Sequence, residues 1–143
     1  MRISDVLKSK AIHEVITVGP DATVRELVAL LTEHNVGALV VSADGSSLDG
    51  IVSERDVVRK LHEDPEVLER PVATIMTADV HTCEGSHAVD DLMQLMTERR
   101  IRHVPVLSES QLVGIISIGD VVKNRIGELE FERDQLDNYV HRT

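Results

Sequence analysis

Gly50-Ile51-Val52-Ser53-Glu54-Arg55-Asp56-Val57-Val58 returns later in the chain as Gly114-Ile115-Ile116-Ser117-Ile118-Gly119-Asp120-Val121-Val122. Upstream of each copy a second stretch is also doubled, Val24 to Val41 reading onto Val89 to Val106. Repetition this regular means two copies of one supersecondary unit, and paired copies ordinarily bury each other's apolar faces. The retained residues include Gly, Ser and Asp, which an apolar core alone would not require.

Each unit reads β-α-β-β-α. In the first, Val15-Ile16-Thr17-Val18 is extended, and Gly19-Pro20-Asp21 breaks it. Val24, Leu27, Val28 and Leu31 then have the spacing of an amphipathic helix. Ala38 to Val41 is an apolar run too short for a helix, and Gly50-Ile51-Val52 is its hairpin partner. A helix follows from Ser53. In the second unit Val80-His81-Thr82 is extended, and Ser86 to Arg99 is helical. His103 to Leu107 pairs with Leu112 to Ile116, and a helix begins at Ser117. The expectation is an α/β (α+β) repeat fold, with residues 1–65 in the first unit, 66–127 in the second and 128–143 as a helical extension. Along that last helix Val122, Ile126, Leu129, Leu136 and Val140 form a heptad-like seam with Arg133 in the missing slot. The seam either folds back on its own core or makes a subunit interface, and its length favours a homodimer interface.

Composition narrows the function. The formal net charge is −10, and Phe131 and Tyr139 are the only aromatic residues. There is no basic stripe and no stacking platform, so nucleic acid is not an expected partner. Cys83 is the only cysteine, which excludes an intrachain disulfide framework and fits a reducing compartment. No apolar stretch has transmembrane length and Met1-Arg2-Ile3-Ser4 is not a signal pattern, so the expected location is cytoplasmic, without a membrane partner. His81, Cys83 and His87 match no standard zinc spacing. Asp56 and Asp120 lie in separate, symmetric motifs, so no shared reaction centre and no enzyme activity is expected.

The Gly-x-x-Ser-x-x-Asp pair carries the chemistry. Each Ser follows a strand and each Asp falls in the first turn of a helix. One reading is a capping box, although Asp stands where the longer Glu or Gln is preferred. The other is a nucleotide site: a helix N-terminus attracts phosphate, and a nearby carboxylate can accept both hydroxyls of a ribose. On residue chemistry alone the two readings stand level.

Residues 1–127 resemble a tandem pair of CBS motifs, the unit named after cystathionine β-synthase, assembled as a Bateman module. Thr17 and Thr82, the strands Gly37-Ala38-Leu39-Val40 and His103-Val104-Pro105-Val106, and both closing motifs carry the resemblance. It implies a stand-alone regulatory protein that senses energy or redox state through an adenosine ligand held between the motifs. AMP is first among the expected ligands, with ATP, ADP, NAD and S-adenosylmethionine as the others. By the same resemblance, Asp56 and Asp120 would hold ribose, while Ser53, Ser117, Thr17 and Thr82 would touch ribose or phosphate. Adenine would lie against Val15, Ala38 and Val52, or against Val80, Val104 and Ile116. Backbone near Ala38-Leu39 and His103-Val104-Pro105 would read its edge, and Arg55, Arg102 and His103 would meet phosphate. The resemblance also implies a regulated partner protein; a ligand-free interaction scaffold is the alternative.

Overall fold

The computed structural model describes residues 1–10 and 15–141. Helix α1 spans Ile3–Ser9. The first unit contains β1 (Thr17–Val18), α2 (Val24–His34), β2 (Ala38–Val41), β3 (Gly50–Ser53) and α3 (Glu54–Glu63). Two 3₁₀ turns, Val67–Glu69 and Val72–Thr74, lead to β4 (Cys83–Glu84), α4 (Val89–Arg99), β5 (His103–Ser108), β6 (Gln111–Ser117) and α5 (Ile118–Val140). The fold is mixed α and β, with two three-stranded sheets ordered β1-β2-β3 and β4-β5-β6. In each, the first pairing is parallel and the second antiparallel.

Local chemistry explains most boundaries. Thr23 accepts the Glu26 N–H at 3.2 Å, and the Glu26 carboxylate accepts the Thr23 N–H, so α2 starts with a complete capping box. It ends where Asn35 turns left-handed at φ 51°. The β5–β6 hairpin closes through Glu109 and Ser110, both at positive φ, as a two-residue turn between right-twisted strands requires. The first strands are shorter than expected and lie further along: Val15 and Val80 to Thr82 are outside the ladders, and pairing starts at Thr17 and at Cys83. The parallel pairing is confined to Val40-Val41 and Val106-Leu107 of the neighbouring strands.

The apolar residues form two clusters rather than the one shared core that the repeat suggested. Val18, Val24, Leu27, Leu39, Val52, Val72 and Ile75 belong to the first. Ile3, Val6, Val89, Leu92, Val104 and Ile116 belong to the second. Each unit is completed by a segment from outside its own β-α-β-β-α stretch. Helix α1, at the start of the chain, packs on the second unit, while the turn Val72–Thr74 and Met76 pack on the first. The two leaders match residue for residue: Ile3, Val6 and Leu7 play the parts of Val72, Ile75 and Met76. Arg2 bridges to Ala88 as Pro71 bridges to Thr23. These leaders also explain the retained glycines. A Cβ on Gly50 would lie 2.8 Å from Met76 Sδ and from the Thr77 carbonyl oxygen, and one on Gly114 would lie 2.5 Å from Leu7 Cδ2. Among the described residues, no helix is long and apolar enough to cross a membrane.

Candidate functional site between the two units

Strand register places both closing motifs. Ser53 pairs with Ala38, and Ser117 with His103, so each closing helix starts beside the first residue of the strand that enters the hairpin. The Glu54 N–H donates to the Gly37 carbonyl at 3.0 Å, and the Ile118 N–H to that of Arg102 at 2.8 Å. Both helices carry complete capping boxes. The Ser53 N–H donates to Asp56 Oδ2 at 2.8 Å and the Ser117 N–H to Asp120 Oδ2 at 2.9 Å, while each Ser Oγ accepts its Asp N–H. Aspartate therefore does cap here. Capping uses Oδ2 alone, and among the described residues nothing bonds to Oδ1 of either Asp.

A cavity of about 520 Å³ opens between the units, within the range of small-ligand pockets. Ile16, Gly37, Ala38 and Leu39 of the first unit line it, and so do His103, Ile115, Ser117 and Asp120 of the second. Ser9 and Lys10, just after or at the end of α1, and Lys123 and Asn124, one turn along α5 from Asp120, complete that side, with His34 and Asn35 at the end of α2. Lys10 Nζ donates to the Ile115 carbonyl at 2.8 Å and to Asp120 Oδ2 at 2.9 Å. Of these lining residues only Asp120 is acidic, against two lysines and two histidines, in a protein whose net charge is −10.

Electrostatics follow from this packing. Burial works against the Asp120 charge, but the Ser117 N–H and the Lys10 ammonium outweigh it and hold the carboxyl below its usual range. Burial also pushes the His103 imidazole below its ordinary value, despite the attraction of Asp120 and Glu54. The sign for stability follows. The unfolded chain takes up the His103 proton at a higher pH than the folded one does, so acidification favours unfolding. Lowering the pH from about 7 to about 5 should reduce the denaturant midpoint, and His103→Gln should flatten that dependence. Asp120 loses its stabilising ionisation only at still lower pH. An equal slope in both proteins would assign the effect elsewhere.

Of the residues singled out from sequence, Ala38, Leu39, His103, Ser117 and Asp120 line this one cavity. Val52, Val104 and Ile116 are fully buried in the two cores, and Pro105 is buried within β5. Ser53 and Asp56 lie half-buried at the start of α3. Thr17, Val15 and Val80 are half-buried, while Thr82, Arg55 and Arg102 are exposed. Sequence reasoning missed Ser9, Lys10, Ile16, His34, Asn35, Val36, Ile115, Lys123 and Asn124. Lys123 had a signal, since three residues after Asp120 is the same helix face; Lys10 had none. The Cys83 thiol donates toward the Pro105 carbonyl, and burial pushes its pKa up to about 11, so it stays protonated. Among the described residues no group of His, Cys, Asp and Glu could hold a metal ion.

Two β-α-β-β-α units with exchanged leaders and a cleft between them define a tandem-repeat α/β protein. A family model described as the CBS domain matches residues 3–63 and 72–127. The chain belongs to the CBS domain family, as a tandem pair. It is 40% identical over 146 residues to the mitochondrial CBS domain-containing protein CBSX3 of Arabidopsis thaliana, covering 96% of this chain and 71% of that one. The crystal structure of the CBS-domain containing protein ATU1752 from Agrobacterium tumefaciens matches with a TM-score of 0.82 at 42% identity, over 87% of this chain and 99% of that one. The CBS domain pair of protein MJ0100, in complex with 5′-methylthioadenosine and S-adenosyl-L-methionine, matches with a TM-score of 0.78 at 26% identity, over 90% of this chain and 98% of that one.

Proposed function

We propose that this chain is a regulatory CBS pair that binds an adenine nucleotide in the cleft between its units and, as a homodimer, passes the ligand's presence to a partner protein. AMP is the leading ligand, with ADP, ATP, NAD and S-adenosylmethionine as the alternatives. One observation carries the reading. The Asp120 carboxylate, with Oδ1 free of protein partners among the described residues, shares a cavity with the apolar surface of Ile16, Ala38 and Leu39. A ribose diol fits the first, and a purine face fits the second. Lys10 and Lys123 supply the positive charge that a phosphate needs, and the two histidines add ring nitrogens that can hydrogen-bond to it. The adenosine-containing ligands of the MJ0100 pair agree with this chemistry.

The complete capping boxes favour one other reading, a scaffold in which Ser and Asp serve folding alone. Titration calorimetry of the full chain with AMP, ADP, ATP, NAD and S-adenosylmethionine separates the two. Saturable heat with at least one of them is expected. Silence from all five would leave the scaffold.

A further inference from the structure

Helix α5 is 23 residues long, roughly 35 Å, and outlasts the family match, which ends at residue 127. Every residue from Leu129 to Val140 is exposed. Val122, Ile126, Leu129, Leu136 and Val140 are between 48% and 65% exposed. With Arg133 they occupy alternating a and d positions of one continuous stripe. An amphipathic stripe of this length needs a cover.

We propose that the cover is the same helix of a second copy, running antiparallel. Val122 then faces Val140 of the partner subunit, Ile126 faces Leu136 of the partner subunit, and Leu129 faces Arg133 of the partner subunit. This register uses all six stripe positions of both helices. Charge decides the direction. A parallel pair would set Arg133 against Arg133 of the partner subunit and Glu132 beside Asp137 of the partner subunit, gaining only Arg125 against Glu130 of the partner subunit. The antiparallel pair sets Lys123 beside Asp137 of the partner subunit. It also sets Glu130 and Glu132 each against its own copy in the partner subunit, and Arg133, beside both, offsets that repulsion. Within one chain Arg133 has only an exposed contact with Asp134 at 3.4 Å, and Lys123 and Asp137 have no ion pair among the described residues. All three are therefore available. A polar residue at one core position is a known means of fixing register and orientation.

The pairing rests on the homodimeric reading above and goes beyond it by naming the face and the direction. Two measurements on the full chain test it. In sedimentation equilibrium, Leu129→Glu with Leu136→Glu should raise the dimer dissociation constant at least about tenfold, with the helical circular dichroism of the body retained. Leu129→Cys and Arg133→Cys chains, mixed, allowed to exchange and oxidised, should form a disulfide-linked dimer that neither forms alone. The buried Cys83 keeps the background low. A wild type that stays monomeric at every concentration overturns the homodimer altogether. A wild-type dimer indifferent to both glutamates overturns the α5 seam only, and each cysteine variant linking to itself overturns the antiparallel direction.

Discussion

Asp120→Ala should weaken adenine-nucleotide binding to the cleft by about 30- to 100-fold. A ribose hydroxyl can give the free Oδ1 of its carboxylate a charge-assisted hydrogen bond, and such a bond contributes about 1.5–3 kcal/mol. The substitution also removes the partner of Lys10, whose ammonium lies 2.9 Å from Oδ2, and so leaves a half-buried cation without its counter-charge. Part of any loss could come from the cap, because Asp120 accepts the Ser117 N–H as well. Ser117→Ala isolates that part: the cap loses its hydroxyl, at about 1 kcal/mol of stability, while the carboxylate stays. Calorimetry and a denaturant curve on both variants give the answer. Affinity should collapse in Asp120→Ala and change far less in Ser117→Ala. Equal losses in the two would reduce Asp120 to a folding residue and remove the chemical basis of the nucleotide reading.

Ile3→Ala should cost about 2–5 kcal/mol, a large share of the total stability of a domain this size. Ile3 is 0% exposed and sits in the second core among Val104, Val106 and Ile116, more than eighty residues away in the chain. Backbone bonds from Ile3 to His87 at 3.0 Å and from Ser4 to Gly85 at 2.9 Å hold α1 in place, so the site cannot collapse easily around the lost methyls. The matching substitution on the other leader, Val72→Ala, removes less volume and should cost less. Urea midpoints of the two, with the exposed Val58→Ala as control, check the prediction. An Ile3→Ala midpoint equal to the control's would mean that α1 contributes nothing to the second core.

The same two leaders mark the limit of what the sequence disclosed. The hairpins, α2, α4 and both closing motifs were legible because their signals are local: a 3.6-residue period, a short β-branched run, a Ser before a helix. The destination of α1 was not. Seven residues carry too few turns for a period, and nothing local says that Ile3 and Val6 leave their own unit for the other. The cleft was only half legible for the same reason. Asp120, Ser117 and His103 announce themselves within one motif. Lys10 and Ile16 enter through folding across the repeat, and no spacing rule connects Lys10 with Asp120. The expected aliphatic slot shows a second limit. Val52, Val104 and Ile116 have the right chemistry to face a purine, but the inward side of a short strand is claimed by the core first.

The crossed leaders make the chain a covalently closed domain swap. One unit with a leader of its own would cover its own sheet; here each leader covers the sheet of the other unit, as two exchanged protomers would do. Cutting the connector between Asp64 and Arg70 would therefore not release two halves. Each fragment would carry the lid of the other and lack its own, so the pair would fold together or not at all. The closing carboxylate Asp120 and its lysine, 110 residues apart in the chain, meet because of this interlock. That ion pair, with the bond from Lys10 to the Ile115 carbonyl, therefore pins the far end of the borrowed leader to the second unit, and the two move as one body.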